Sequence, residues 1–288
     1  PPTINNPAQA KTVERFAGEV EFKHVWLSYN PGEPVLRGIS FHARPGEKIA
    51  LVGATGGGKT SIISALCRFY DGERGAILVD GLEIREWNKQ ELRKHLGLVL
   101  QDVFLFSGDM ATNITLGDPR IGESQALEAA RRAQIAPFIE RMPNRYREEV
   151  QERGSTLSQG QRQLLSFARA LAFDPQILIL DEATSSVDTQ TEELIQEALN
   201  ELLKNRTALI VAHRLSTIKH ADRILVIHKG EICSACITGW RSRLSLIPTT
   251  TPTHPIMLPT LPLFLPRDSC MSVIYSTPST PRRDRLPA

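Results

Sequence analysis

The stretch that most constrains this chain is Gly53-Ala54-Thr55-Gly56-Gly57-Gly58-Lys59-Thr60. It follows the apolar run 48–52 and precedes an apolar, helix-compatible segment at 61–69. A GxxxxGKT pattern between a strand and a helix predicts a phosphate-binding loop, because the glycines let consecutive backbone N–H groups turn toward one anion. The N-terminus of the following helix adds partial positive charge at the same point. The stretch therefore predicts a nucleotide-binding protein.

The same motif assigns expected roles to individual residues. Lys59 would reach the β- and γ-phosphates, and the Thr60 hydroxyl would bind Mg²⁺. The residues that we expect around the nucleotide phosphates are Gly53, Thr55, Gly56, Gly57, Gly58, Lys59, Thr60 and Ser61.

Composition sets broad limits on what the chain can be. The 288 residues are 41% hydrophobic and 23% charged, which is ordinary for a globular protein with a real core. The formal net charge of +2 argues neither for nor against a nucleic-acid partner. The sequence has no apolar run of about 18 residues, so we expect no membrane-spanning segment in it. Because it starts at Pro1 without a methionine, we expect it to be a piece of a longer protein.

The order of the predicted elements indicates an α/β fold with three parts. Residues 1–17 are polar and hold three prolines, which is typical of a linker. From 18 to 232, strand-like runs give way to helical patterns, which predicts a P-loop core with a mainly parallel sheet, an N-terminal antiparallel β subdomain and a helical insertion at about 108–172. Residues 233–288 contain nine of the nineteen prolines and no periodicity, so we predict a disordered tail.

Two adjacent acids follow the most apolar of the predicted strands. Asp181 and Glu182 come directly after the run 176–180, which has the length and composition of a central strand buried on both faces. Parallel sheets bind ligands at the carboxyl ends of their strands, where the P-loop also lies. Two acids there are costly without a cation, so we expect Asp181 to support a shared Mg²⁺. Glu182 could accept a proton from the water that attacks the γ-phosphorus; a solvated acidic strand end is the alternative.

Several further segments resemble the nucleotide-binding domain of an ATP-binding cassette (ABC) transporter, over about 18–231. Leu157-Ser158-Gln159-Gly160-Gln161 resembles the signature loop of that family, and Ser185-Ser186-Val187-Asp188 resembles the loop that crosses to the partner domain. Single residues match as well: Tyr29, Gln101 and His213.

This resemblance implies roles for those residues. Tyr29 would stack on adenine, Gln101 would sense the metal and the coupling helix, and His213 would contact the γ-phosphate. Two such domains would pair head to tail, as a homo- or heterodimer, so that Ser158, Gly160 and Gln161 of one domain face the ATP on the P-loop of the other. Loss of the γ-phosphate would then let the two halves part.

Taken alone, three of the matching residues have simpler interpretations. Ser158 is a plausible N-cap whose helix end could face an anion, but Arg162 and Gln163 could instead make it merely a polar helix start. His213 could be a satisfied core or edge residue, and Tyr29 could serve packing.

The segments 101–108 and 212–218 look like those of exporter-type domains, as does 152–154. The resemblance therefore predicts an Mg-dependent ATPase domain that powers export, at the cytoplasmic face of a membrane, beneath a transmembrane domain that this chain lacks. No nucleic-acid partner is expected.

Two other functions remain open from the sequence. One is an ATPase head of the DNA-repair or chromosome-maintenance class, although no heptad stretch separates Lys59 from Ser158. The other is a module that holds ATP without hydrolysing it. After residue 232 the chain departs from the family pattern, which places the C-terminal dimer contacts in doubt.

Overall fold

The structure, a computed structural model, describes residues 4–11, 16–100, 103–150, 156–181, 189–212, 218–219 and 221–237. A six-stranded sheet forms the centre of the fold, with strand order β12-β11-β3-β10-β9-β6. Its strands are β3 (Lys48–Val52), β6 (Leu96–Val99), β9 (Ile177–Asp181), β10 (Thr207–Val211), β11 (Arg223–His228) and β12 (Glu231–Ile237). Five of the strands run parallel, and β12 pairs antiparallel with β11. The predicted mainly parallel core is confirmed.

The continuous apolar runs of this sheet are explained by burial on both faces. Successive residues of β3, β9 and β10 alternate between two hydrophobic clusters, so that Leu178 and Leu180 join one cluster while Ile177 and Ile179 join the other. All four side chains are buried. A strand covered on both sides has no polar face, which is why its sequence does not alternate.

A second, antiparallel sheet packs on one side of the core, with strand order β2-β1-β4-β5. It consists of β1 (Val20–Ser28), β2 (Pro34–Ala43), β4 (Arg74–Val79) and β5 (Leu82–Glu83). Its apolar side chains share a cluster with the P-loop helix α1 (Lys59–Leu66) and with α2 (Lys89–Lys94). The antiparallel subdomain predicted from the sequence is therefore present.

The block predicted to be a helical insertion is mainly helical between 108 and 173. It contains α3 (Met110–Thr115), α4 (Glu123–Arg132), α5 (Ala136–Ile139), a 3₁₀ turn (Arg145–Arg147) and α6 (Gln159–Phe173). Two short strands in this block, β7 (Gly108–Asp109) and β8 (Glu149–Val150), pair antiparallel with each other. The chain re-enters the core sheet at β9, and the helix α7 (Thr189–Leu203) lies between β9 and β10 in the sequence. Among the described residues between 59 and 158 the longest helix is α4, which is too short for the coiled coil of a DNA-repair head.

The two ends of the domain differ from the expectation. The strand β12 runs to Ile237, past position 232 where the sequence predicts that the domain ends. At the other end, Asn5, Asn6 and Lys11 bond to the core around α2: Arg68 donates to the carbonyl of Asn5, and Lys11 pairs with Glu86 at 2.8 Å. The described part of the expected linker thus packs on the domain. Residues 238–288 lie outside the described residues.

Candidate active site

The loop between β3 and α1 depends on glycine at the point where it leaves the sheet. Gly53 has a φ of +146°, and a Cβ there would lie 2.0 Å from the carbonyl oxygen of Ile227 on β11. No side chain fits such an approach without displacing backbone. Gly58, with a φ of +110°, is the N-cap of α1 and would place a Cβ 3.3 Å from Gly230.

Backbone hydrogen bonds hold the loop in its curved form. Within it, Gly57 N–H donates to the carbonyl of Ala54 at 3.0 Å. From outside, Gly230 N–H donates to the carbonyl of Gly57 at 2.9 Å, and Arg37 N–H donates to the carbonyl of Gly230 at 2.8 Å. The turn between β11 and β12 therefore ties the loop to the antiparallel sheet. Nothing in the motif itself signals this turn.

Lys59 is the first residue of α1, directly after the loop, and is only 5% exposed. Its ammonium donates to the carbonyl oxygens of Gly53 at 2.8 Å and Ala54 at 3.0 Å. Burial lowers the pKa of this lysine, and the nearby carboxylate of Asp181 opposes part of that effect. An ammonium has three donors, so one more is available for a phosphate oxygen alongside the two bonds made to described residues.

The N-terminus of α1 offers backbone donors to an anion. Its N-cap has no side-chain hydrogen bond, and its first turn contains no acidic residue. The first N–H groups of such a helix lack intrahelical partners, and the helix dipole places partial positive charge there. Thr60, in the same turn, is exposed. The sequence-predicted phosphate residues are thus brought together on one curved loop and one helix end.

Asp181 ends its strand at the same edge of the sheet. In the strand register Val211 pairs with both Asp181 and Leu51, so β9 and β3 finish on either side of β10 at the same level. Asp181 is partly buried, and its charge acts on Lys59. An exposed hydroxyl at Thr60 and a carboxylate at Asp181 are the hard oxygen donors that Mg²⁺ prefers, so these residues fit a magnesium site. The described residues hold no cluster of three His, Cys, Asp or Glu for a metal, so phosphate and water oxygens would have to complete it.

Tyr29 follows β1 and lies beside the P-loop helix. Its hydroxyl donates to the Oγ of Ser61 at 3.0 Å, and its ring meets the ring of Tyr70 at 4.7 Å in an edge-to-face arrangement. The contact with Ser61 places Tyr29 next to the loop, as a base-stacking role requires. Sequence reasoning missed Tyr70, whose only signal was its position just after the apolar helix segment.

The segment that resembles a signature loop forms the N-terminus of α6. Ser158 is the N-cap: its Oγ accepts from Gln161 N–H at 3.2 Å, and the side-chain oxygen of Gln161 accepts from Ser158 N–H at 2.8 Å. This is a complete capping box. The predicted N-cap role of Ser158 is confirmed, and Gly160 is buried in the first turn of the helix.

Three expected catalytic residues, Gln101, Glu182 and His213, lie outside the described residues, as does 185–188. In sequence each comes within two residues of the carboxyl end of a core strand: β6, β9 and β10 respectively. Those three strands are neighbours in the sheet. Their roles stay predictions.

An apolar groove of about 760 Å³ opens between β6 and the helical block. Leu100, Phe104 and Leu116 line it and are exposed, with Arg93 and Arg169 among its polar residues. Sequence reasoning did not find this surface, because its residues come from segments that are far apart in the chain.

The parallel sheet, the glycine loop and the acid at the neighbouring strand end together define a P-loop nucleotide-binding protein. The family model described as "ABC transporter" matches residues 36–185. The chain belongs to that family, and its domain is an exporter-type ATP-binding domain. Membership implies that the domain binds and hydrolyses ATP.

Individual relatives agree with this assignment. The chain is 53% identical over 219 residues to a probable multidrug resistance ABC transporter ATP-binding/permease protein, YheH, of Bacillus subtilis, covering 76% of this chain and 32% of the relative. It is 47% identical over 227 residues to a fatty acid ABC transporter ATP-binding/permease protein of Mycobacterium bovis, covering 79% and 36%. The chain spans about a third of the length of these curated relatives.

A solved structure with the same fold is that of a bacterial Atm1-family ABC exporter with ATP bound. Its TM-score is 0.75 at 38% identity, covering 81% of this chain and 41% of the other. The two curated relatives are ABC transporter proteins and the solved structure is an ABC exporter, and none of them supports the DNA-repair alternative. Within the described residues, no helix is both long and apolar enough to cross a bilayer.

Proposed function

We propose that this domain binds ATP with Mg²⁺, pairs head to tail with a second nucleotide-binding domain, and hydrolyses the ATP to power export through a membrane domain. The observation that carries the proposal is the strand register: Val211 pairs both with Leu51, which lies just before the phosphate loop, and with Asp181. The loop and the acid follow strands that lie two positions apart in the sheet and end at the same level. A triphosphate on the loop would therefore bring its metal next to the acid.

Binding would rest on the loop and the P-loop helix. The backbone N–H groups from Gly53 to Thr60 and the ammonium of Lys59 would hold the β- and γ-phosphates. The ring of Tyr29 would stack on the adenine, an interaction that tolerates any base because every base has a π-face. Mg²⁺ would be held by Thr60, Gln101 and Asp181. When bound, it neutralises the charge that develops on the phosphate oxygens.

Hydrolysis would need a base and a γ-phosphate contact. Glu182 would take a proton from a water molecule whose oxygen attacks the γ-phosphorus, while the bond from that phosphorus to the bridging oxygen of ADP breaks. His213 would contact the γ-phosphate and hold the attacking geometry. The products are ADP and inorganic phosphate.

The contacts on the other side of the nucleotide would come from a partner domain. Ser158, Gly160 and Gln161 of that partner would contact the γ-phosphate in trans. Support comes from the helix end that they form, because the dipole of α6 favours an anion there. Loss of the γ-phosphate would remove this contact and let the pair open.

The groove beside β6 supports coupling to a membrane domain. Its floor is apolar and its large side chains are exposed, which is unusual for a surface without a partner. Leu100, which lines the groove, directly precedes Gln101 in the sequence, so an element of a membrane domain seated in the groove would sense the occupancy of the site. We propose that the domain works at the cytoplasmic face of a membrane, with residues 1–17 as its connection to that domain and 238–288 as a tail.

A module that binds ATP without turnover is the competing function, and one assay separates the two. Phosphate release from ATP is measured with Mg²⁺ and with EDTA, for the wild type, Glu182→Gln and Lys59→Ala. We expect release only with Mg²⁺ and only from the wild type, with Glu182→Gln still binding ATP and Lys59→Ala weakened about 100-fold in affinity because a charge-assisted contact is lost. Equal, metal-independent release from all three proteins would contradict the proposed ATPase.

A further inference from the structure

Three side chains from separate elements meet beside the P-loop helix. Tyr29 follows β1, Ser61 lies in the first turn of α1, and Tyr70 follows that helix. Tyr29 and Tyr70 are 44% and 43% exposed, whereas Ser61 is only 6% exposed. The two rings thus form a partly exposed aromatic surface next to the buried hydroxyl of Ser61.

The contact between Tyr29 and Ser61 has a defined direction. The phenolic O–H donates to the serine Oγ at 3.0 Å. Ser61 is largely removed from water, so the bond does not compete with solvent as an exposed one would. It fixes the far end of the Tyr29 side chain, and it therefore restricts where the ring lies relative to α1.

Tyr70 restrains the same ring from the side. The ring centroids are 4.7 Å apart and the ring planes are inclined by 76°, the edge-to-face geometry that aromatic pairs favour. An exposed tyrosine ordinarily samples several rotamers, and each ring immobilised on ligand binding lowers affinity. A ring that is already held at its hydroxyl and at its side avoids that loss.

We propose that Ser61 and Tyr70 are positioning residues for the nucleotide base, which act by holding Tyr29 in its stacking position. The proposal rests on the proposed stacking of Tyr29 on adenine. The sequence-based expectation that Ser61 lies around the phosphates is examined by the same experiment.

The test compares ATP with inorganic tripolyphosphate, which has the phosphates but no base. Dissociation constants of the full chain are measured for Tyr29→Phe, Ser61→Ala, their double variant, and Tyr70→Ala. We expect each single variant to bind ATP about two- to tenfold more weakly, because one hydrogen bond or one ring contact is lost. Tripolyphosphate affinity should change less than about twofold. The double variant should be no weaker than either single one, because both remove the same bond.

Conservative changes separate positioning from a general structural effect. Tyr70→Phe keeps the ring and should restore the affinity for ATP, and Ser61→Thr keeps the hydroxyl and should do the same. Tyr146→Phe is the matched control: it removes a buried tyrosine hydroxyl that has no hydrogen-bond partner among the described residues, and it should leave both ligands unaffected.

The outcomes distinguish this inference from the proposed function. If Ser61→Ala weakens tripolyphosphate as much as ATP, Ser61 serves the phosphates and the inference is overturned. The inference is also overturned if the Tyr29→Phe variant binds ATP as tightly as the wild type does. Tyr29→Ala tests the base site itself: if that variant binds ATP like the wild type, the proposed stacking fails, whichever way the other variants behave.

Discussion

The N-termini of α1 and α6 are the two helix ends expected to face the triphosphate, and they are built in opposite ways. At α1 the N-cap is Gly58, which has no side chain, so no side chain caps the first turn. At α6 the N-cap is Ser158, and its capping box with Gln161 satisfies two backbone donors locally. One helix end is left open to a ligand, and the other is closed by its own residues.

This difference indicates an order of binding. Donors without local partners gain most from an anion, so the loop before α1 can bind a triphosphate by itself. At α6 the box already satisfies two backbone donors, so fewer of them can turn to a phosphate and the site is weaker. Such a site suits the second half of a clamp, which closes only after the first half has fixed the ligand.

The largest expected effect comes from adding a side chain at the start of the loop that leads to the open helix end. In Gly53→Ala a Cβ would lie 2.0 Å from the Ile227 carbonyl oxygen at a φ of +146°. We expect a loss of about 2–5 kcal/mol in the free energy of unfolding and loss of ATP binding. Gly56→Ala is the matched control: its φ is +77° but nothing lies within 4 Å of the added carbon. It should lose only about 1–2 kcal/mol. Urea unfolding of both variants checks the difference, and equal losses would show that the contact with β11 is unimportant.

Removing the side-chain cap at the N-terminus of α6 should have a smaller effect on the free energy of unfolding. Ser158→Ala removes the side-chain half of the capping box, and we expect it to lower the free energy of unfolding by about 1 kcal/mol. ATP affinity of a single domain should not change, because the primary site is at α1, whereas phosphate release should fall. Chemical denaturation, nucleotide titration and the phosphate assay measure the three quantities. A single-domain affinity that dropped with Ser158→Ala would place the two helix ends on one nucleotide in cis, against the comparison.

The smallest effect is a pH dependence that belongs to α1 alone. Burial lowers the pKa of Lys59, so its ammonium loses its proton at a lower pH than an ordinary lysine. Affinity for ATP should therefore fall as pH rises through this lowered pKa, before an ordinary lysine would lose its proton. The stability contribution has the opposite sign: between the lowered folded pKa and the usual unfolded value, the unfolded chain binds more protons, so the free energy of unfolding rises with pH.

Titrations with ATP between pH 7 and 10 measure how the affinity changes with pH. The variant Lys59→Ala lacks the titrating group, so neither its affinity for ATP nor its free energy of unfolding should show the change with pH that is expected for Lys59. A wild-type affinity that stays constant over this range would contradict the assigned electrostatics.

The local features of the site were predictable because short-range chemistry decides them. The strand before Gly53, the cap at Ser158 and the acid after the 176–180 strand each follow from neighbours in sequence. Hydrophobic runs, glycine spacing and capping residues act over a few positions, and the fold class predicted from them is confirmed. The boundary at 232 was less accurate, because β12 is stabilised by pairing with β11, and the composition of the segment after 232 does not show that pairing.

Contacts between distant segments could not be predicted in this way. The Ile227 carbonyl that excludes any side chain at Gly53 is 174 positions away along the chain, as the two residue numbers show. The hydroxyl of Tyr29 reaches Ser61 across 32 positions, and the groove beside β6 collects side chains from the core sheet and the helical block.

The sequence by itself determined which residues can carry phosphate chemistry, since that depends on residue type and on local backbone freedom. Only the tertiary structure decided which helix end is open, what holds Tyr29 in place and where an apolar surface remains uncovered. The physical reason is that the burial and the hydrogen-bond partners of a residue depend on which other segments lie nearby. The strand order decides which segments are neighbours, and no single segment of the sequence determines that order.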